Sequence, residues 1–309
     1  QLLQGKAAAT FVVLAGVGMA LMTKRALAVG DEPTLAARRK LLLRRAAFLF
    51  VVGLLYTPLW PADILHFYGV YMAVGCLLLA GSNAALLRWA TCFALLFLPL
   101  VQAFDYEAGW DWSTLEYEGF WTLDGFLRNL FFNGFHPVIP WVAFLLFGMW
   151  LGRQPLHEPR TLSPLLVGSG AVFALTQVFH FFAAPALPGE WSYLLATTPM
   201  PPFPLYVVMG CSFATFLIGV SILLGRHFTQ AGWMQALTAT GRLALTFYVA
   251  HVVLGMGLML DGQGALPSMS AAQSGWYALL FNLLGVAFAY GWTRRFAHGP
   301  LEWVMRRLT

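Results

Sequence analysis

Long apolar runs, separated by short polar stretches, recur from one end of the sequence to the other. A helix needs about 20 apolar residues to cross the hydrocarbon of a bilayer. Read on that length, the runs predict nine spans, at residues 4–22, 42–59, 64–81, 84–103, 137–151, 162–183, 204–224, 242–260 and 273–292. The expected fold is all-α: a polytopic transmembrane helix bundle forming one domain over 1–309, with no internal repeat. Residues 101–136 form the longest stretch between spans and mix acids with aromatics such as Trp110, Trp112 and Trp121. Within it, Leu123–Phe131 is amphipathic, with Asp124 and Arg128 four apart, and suits a lid along the membrane surface. The tail 293–309 reads as an amphipathic helix.

Composition agrees. Only 10% of the 309 residues are charged and 59% are hydrophobic, against roughly 25% charged in soluble chains. The charges also orient the bundle. If 23–45 is cytoplasmic, alternation puts 82–88, 152–161, 225–241 and 293–309 on the same side; with Arg242 at their border, these stretches hold 16 of the 18 Lys and Arg. Nine of the 13 acids fall on the opposite side. That is the positive-inside pattern. The net charge of +5 therefore describes a cytoplasmic membrane face and gives no argument for nucleic acid. On this alternation the first span runs inward from the external side, so a further spanning helix is expected upstream of Gln1. Cys76, Cys92 and Cys211 lie inside spans and read as small apolar core residues, not as a disulfide framework.

Against this background the polar residues inside spans carry the chemistry, because ionisable groups in a membrane are costly. The stretch from Trp60 to Tyr71 opens the third span with Pro61 suited to a first helical turn and with Asp63 and His66 three apart on one helix face. An adjacent carboxylate orients an imidazole for proton transfer. His136 precedes Pro137 and is expected at the N-cap of the fifth span, where the positive helix end keeps it neutral. Gln177 and His180 form a weaker pair. Gly241-Arg242 is expected to open the eighth span, placing Thr246 four residues on, with Tyr248 and His251 near mid-membrane. Arg44, Arg45 and Arg242 lie at cytoplasmic ends; they serve either as topology anchors or as a phosphate-binding rim.

The segments Gly5-Lys6-Ala-Ala-Ala-Thr-Phe, Asp63-Ile-Leu-His-Phe-Tyr-Gly, Asn133-Gly-Phe-His-Pro-Val-Ile-Pro-Trp, Leu146-Phe-Gly-Met-Trp-Leu-Gly-Arg153, Gly241-Arg-Leu-Ala-Leu-Thr-Phe-Tyr and Gly299-Pro-Leu-Glu-Trp resemble the bacterial DUF418/YeiB-like membrane proteins. More distantly they resemble the heparan-alpha-glucosaminide N-acetyltransferases of the transmembrane acyltransferase superfamily. The resemblance implies transfer of an acyl group from cytosolic acyl-CoA, such as acetyl-CoA, to an external hydroxyl or amine, with no metal. It implies His66, His136 and His251 as candidate bases, Asp63 as orienter, and Arg44, Arg45, Arg242, Thr246 and Tyr248 as donor-binding residues. The family's opening helix, with its Asp and Arg-Gly signature, has no counterpart here.

Expected partners are the lipid bilayer of a bacterial inner membrane, an envelope glycan acceptor, and a second copy of the chain or a larger membrane complex. Two other functions compete: a noncatalytic subunit of such a complex, and a transporter or flippase, whose mark would be paired broken helices in two related halves.

Overall fold

The computed structural model describes residues 4–257 and 269–309. The last residues of the eighth expected span, 258–260, lie outside the described residues. The chain forms two compact units, Gln1–Ser221 and Ile222–Thr309.

The first unit begins with a helical hairpin, α1 (Lys6–Val29) and α2 (Glu32–Tyr56). The basic stretch expected as a loop is helical almost throughout, because nothing in residues 23–29 breaks a helix. The chain turns only at Gly30, in the left-handed region at φ 67°, where its N–H bonds the Ala26 carbonyl. Asp31 then caps α2 by accepting from the Thr34 N–H at 3.0 Å, with Pro33 in the first turn. Next come α3 (Leu65–Leu77) and α4 (Asn83–Ala103), a small antiparallel ribbon of β1 (Trp110–Asp111) and β2 (Glu116–Tyr117), and α5 (Leu123–Arg128). A π-helical turn, Asn129–Asn133, leads to α6 (Val138–Arg153), followed by α7 (Pro159–Ala183) and α8 (Pro204–His227).

Helix α6 is the axis of this unit, buried along nearly its whole length and packed on α1, α3 and α4. Its contact with α1 is backbone on backbone. A Cβ added to Gly16 would lie 2.1 Å from the Leu145 carbonyl oxygen, and one added to Gly148 would lie 2.1 Å from that of Val13. Small residues of this kind are how helices approach closely in a bilayer. At one end of the bundle Arg153 donates to the carbonyls of Leu79 and Gly81 at 2.8 and 2.6 Å, closing the turn between α3 and α4. At the other end Lys6, 1% exposed, donates to the carbonyls of Thr197 and Gln4 and lies over the Tyr206 ring. Tyr206 in turn donates to the Gly5 carbonyl, and His180 Nδ1 contacts the Leu195 carbonyl at 2.7 Å. These bonds order the proline-rich stretch 184–203, and they give Gly5-Lys6 and His180 anchoring roles.

Helix α7 is different. Only Leu162 and Thr176 are buried along it, while Val167, Leu175, Phe181 and Phe182 are largely exposed. Such a surface suits lipid tails. Among the described residues four helices are long and apolar enough to cross a membrane by themselves; the count reaches six if each of two bent pairs is one span. The pairs are Leu123–Asn133 with Val138–Arg153, bent by 48°, and Gly232–Gly241 with Ala244–Met256, bent by 74°. The expected nine spans are therefore not all matched by full-length apolar helices. Helix α3 has 13 residues, and α2 carries Arg38, Arg39, Lys40, Arg44 and Arg45. The chain is nonetheless an integral membrane protein by its several long apolar helices. Cys92 is exposed, against the expected core position, while Cys76 is buried.

The second unit holds α9 (Gly232–Gly241), α10 (Ala244–Ala250), which continues as a π-helical turn through Met256, α11 (Ala271–Thr293) and α12 (Pro300–Leu308). Ala239, Leu243 and Ala289 form its core, with Phe247 and Trp292 packed against them. The helix expected to start at Arg242 starts two residues later. Glu302 explains the break: its carboxylate accepts from the N–H groups of Leu245 and Thr246, at 2.7 and 3.0 Å, and from the Thr246 hydroxyl at 2.5 Å. It thus caps α10 from α12, and two of the family-like segments prove to be one contact.

Candidate active site

The Trp60–Ile64 turn joins α2 to α3, closed by the Asp63 N–H on the Trp60 carbonyl. Pro61 precedes the helix and does not enter its first turn, so Asp63 and His66 meet by capping and not along a helix face. Asp63 Oδ2 accepts from the N–H of Leu65 at 2.8 Å, from that of His66 at 3.3 Å, and from His66 Nδ1 at 3.1 Å. The two side chains are 0% and 1% exposed. An ionised carboxylate only accepts, so the imidazole proton sits on Nδ1 and the lone pair on Nε2. That Nε2 is buried and has no hydrogen-bond partner among the described residues. Gly53 makes the arrangement possible. A Cβ there would lie 2.2 Å from the His66 nitrogen and 2.7 Å from Asp63 Oδ2.

His136 lies on the far side of Phe67. The Phe67 ring is 4.0 Å from that of His66 and 6.1 Å from that of His136, centroid to centroid. Pro137, not His136, is the N-cap of α6, so His136 stands one residue outside the helix. The Tyr71 hydroxyl holds it by donating to its carbonyl, and its ring meets that of Trp141 at 4.7 Å. Both His136 Nδ1 and Trp141 Nε1 are buried without a hydrogen-bond partner among the described residues. Buried polar atoms are nearly always paired. Three ring nitrogens that are not, gathered around Phe67 and Trp141, leave hydrogen-bonding capacity that a polar ligand could take up. Nothing in the sequence singles out Trp141, because an indole in an apolar run looks like packing.

The stretch 104–122 folds over this place. Phe120 meets His66 edge-on at 6.2 Å and Phe126 at 5.7 Å. Asn133, fully buried, holds the stretch down: its Nδ2 donates to the carbonyls of Tyr106 and Ala108, each at 2.9 Å, and its Oδ1 accepts from Tyr117 at 2.8 Å. Its own carbonyl accepts from Trp110 Nε1 at 2.7 Å. Burial pushes the Tyr117 phenol above its ordinary pKa, which keeps the donating proton. Arg128 gives its Nε–H to the same Tyr117 oxygen at 2.7 Å. Asn133→Ala leaves two carbonyls and a phenol short of a partner, at a cost on the order of 3 kcal/mol. Limited proteolysis should then cut within 104–122 at least tenfold faster than in the wild type, while the helices stay resistant.

Arg44 and Arg45 lie on α2, about 12 to 14 Å along the helix from Gly53, and Arg45 Nη1 points to Met22 Sδ at 3.8 Å. Arg242, Thr246, Tyr248 and His251 belong to the second unit. Thr246 is engaged by Glu302, and His251 Nδ1 bonds the Tyr248 carbonyl. Arg242 is the C-cap of α9, not the start of the next helix. Among the described residues no group of three or more His, Cys, Asp and Glu is placed to hold a metal ion.

A helical membrane protein with a buried Asp–His pair under an aromatic cover is thus the class defined by fold and site. Residues 1–188 match the family model described as heparan-alpha-glucosaminide N-acetyltransferase, catalytic, and residues 149–309 match that described as protein of unknown function (DUF418). Each covers more than half of the chain, which therefore belongs to the DUF418/YeiB-like proteins and is distantly related to the glucosaminide N-acetyltransferases. No curated protein and no solved structure matches it. The first match points to a membrane acetyltransferase, and it contains Asp63, His66, His136 and Trp141.

Proposed function

We propose that the protein transfers an acetyl group from acetyl-CoA to a hydroxyl or amine acceptor on the external side of the membrane, such as an envelope glycan. The observation that supports this is the buried Asp63–His66 pair with its unpartnered Nε2. In this reading His66 Nε2 takes the acceptor's proton as its oxygen or nitrogen attacks the thioester carbonyl carbon. The C–S bond then breaks, and the departing thiolate takes the proton back from Nε2. Asp63 keeps the ring oriented and supports the passing positive charge. Trp141 Nε1–H is a donor suited to the carbonyl oxygen as it becomes anionic, and His136 serves to position the acceptor. The full chain, purified in detergent, should move radiolabel from acetyl-CoA to amino-sugar or glycan acceptors. Absence of transfer to every acceptor class, with the protein folded, would sink the proposal.

A second reading has its own observation. The two bent helix pairs are the kind of broken helix expected of a transporter. They differ in bend and in local structure. The first break adjoins the Asn133 anchor, and the second is capped by Glu302. The two therefore do not read as copies of one device, and the acetyltransferase reading is preferred.

A further inference from the structure

The second unit contains a cleft of about 440 Å³ between the end of α8, helix α9 and the C-terminal end of α11. Its wall includes Gln235, Thr238, Arg242, Tyr290 and Arg294, and none of its lining residues is acidic. Thr229, Thr238 and Thr293 give their hydroxyl protons to carbonyls of their own chain segments, at 2.6, 2.8 and 2.9 Å. The strong donors left facing the cleft are therefore the two guanidinium groups.

They are held differently. Arg294 lies over the Tyr290 ring at 4.3 Å and donates Nη2–H to the Tyr290 hydroxyl at 2.9 Å, which fixes its plane. Arg242, at the corner between α9 and α10, gives its backbone N–H to the end of α9, while its guanidinium makes no hydrogen bond or ion pair with any described residue. Each also stands at a helix C-terminal end, which favours a cation in any case. Helix ends alone do not need a shared cleft free of acids, nor one of the size that takes a small organic ligand. Two guanidinium groups across such a space match the oxygens of phosphate groups, which they bind in forked pairs.

We propose that this cleft binds a phosphate-bearing ligand through Arg242 and Arg294. On the acetyltransferase reading, on which this part rests, the ligand is the adenosine 3′,5′-bisphosphate end of the acyl-CoA. The site would then lie within residues matched to the DUF418 model, apart from the Asp63–His66 pair in the sequence.

Calorimetry on the full chain in detergent, with adenosine 3′,5′-bisphosphate as titrant, tests the site without requiring turnover. Binding is expected, weakened 10- to 100-fold by Arg242→Gln with Arg294→Gln and little changed by His66→Asn. The same titration in nanodiscs with and without phosphatidylglycerol separates the sources: competition by the lipid assigns the cleft to a headgroup phosphate, and indifference assigns it to the soluble ligand. Binding of neither phosphate, or binding untouched by the double arginine variant in a folded protein, overturns the proposal. If the bisphosphate binds as expected while no acceptor is acetylated, the cleft stands and the transfer reading falls.

Discussion

Replacing His66 by Asn should lower acetyl transfer by about 10²- to 10⁴-fold, the usual contribution of a general base, while the protein stays folded. Asn is chosen because its amide N–H can still reach Asp63, so the bond now made by Nδ1 is kept and only the Nε2 lone pair is lost. Asp63→Asn should do comparable harm by another route. The amide oxygen can still accept from the Leu65 and His66 N–H groups, but the side chain is neutral and no longer supports the positive charge that the ring takes up during transfer. Asn also caps helices well, so α3 should survive the change. Radiolabel transfer checks both variants, with thermal unfolding in the same detergent as the control for folding. Wild-type rates in either variant would remove the pair from the mechanism.

The second large effect is on folding. Gly148→Leu places a side chain where the Val13 carbonyl oxygen now lies, 2.1 Å from the first added atom. Overpacking costs about 1–3 kcal/mol where neighbours can repack. Here the obstacle is the backbone of α1, which has no rotamer to change, so the cost should exceed that range. The expected result is loss of the monodisperse species in size-exclusion chromatography. Gly16→Leu should behave alike from the opposite helix. Gly18→Ala supplies the control, since an added Cβ there meets nothing within 4 Å. Equal behaviour of all three variants would contradict the α1–α6 contact.

The apolar runs announced the helices well, since each expected span falls on helical chain over most of its described length. Asp63 and His66 were legible for the same reason: two ionisable residues three apart in an apolar run have few purely structural explanations. Their geometry was less so. Whether Pro61 enters the helix or precedes it depends on where Asp63 spends its carboxylate, and that is decided by the approach of Gly53. Asn133 shows the limit more sharply. Its partners include two carbonyls of irregular chain, which leave no trace in residue type. The break at Arg242 was hidden because its cause, Glu302, is remote in sequence and would be read alone as an ordinary charge in a tail.

That capping carboxylate also sets an order of events during synthesis. The first turn of α10 leaves the ribosome 56 residues before the side chain that accepts its Thr246 N–H. At about 5–20 residues per second this is a delay of roughly 3 to 11 s. For that interval the corner between α9 and α10 has N–H groups and no acid to receive them. It closes only when α12 arrives, so a helix made after α11 completes a corner begun before it.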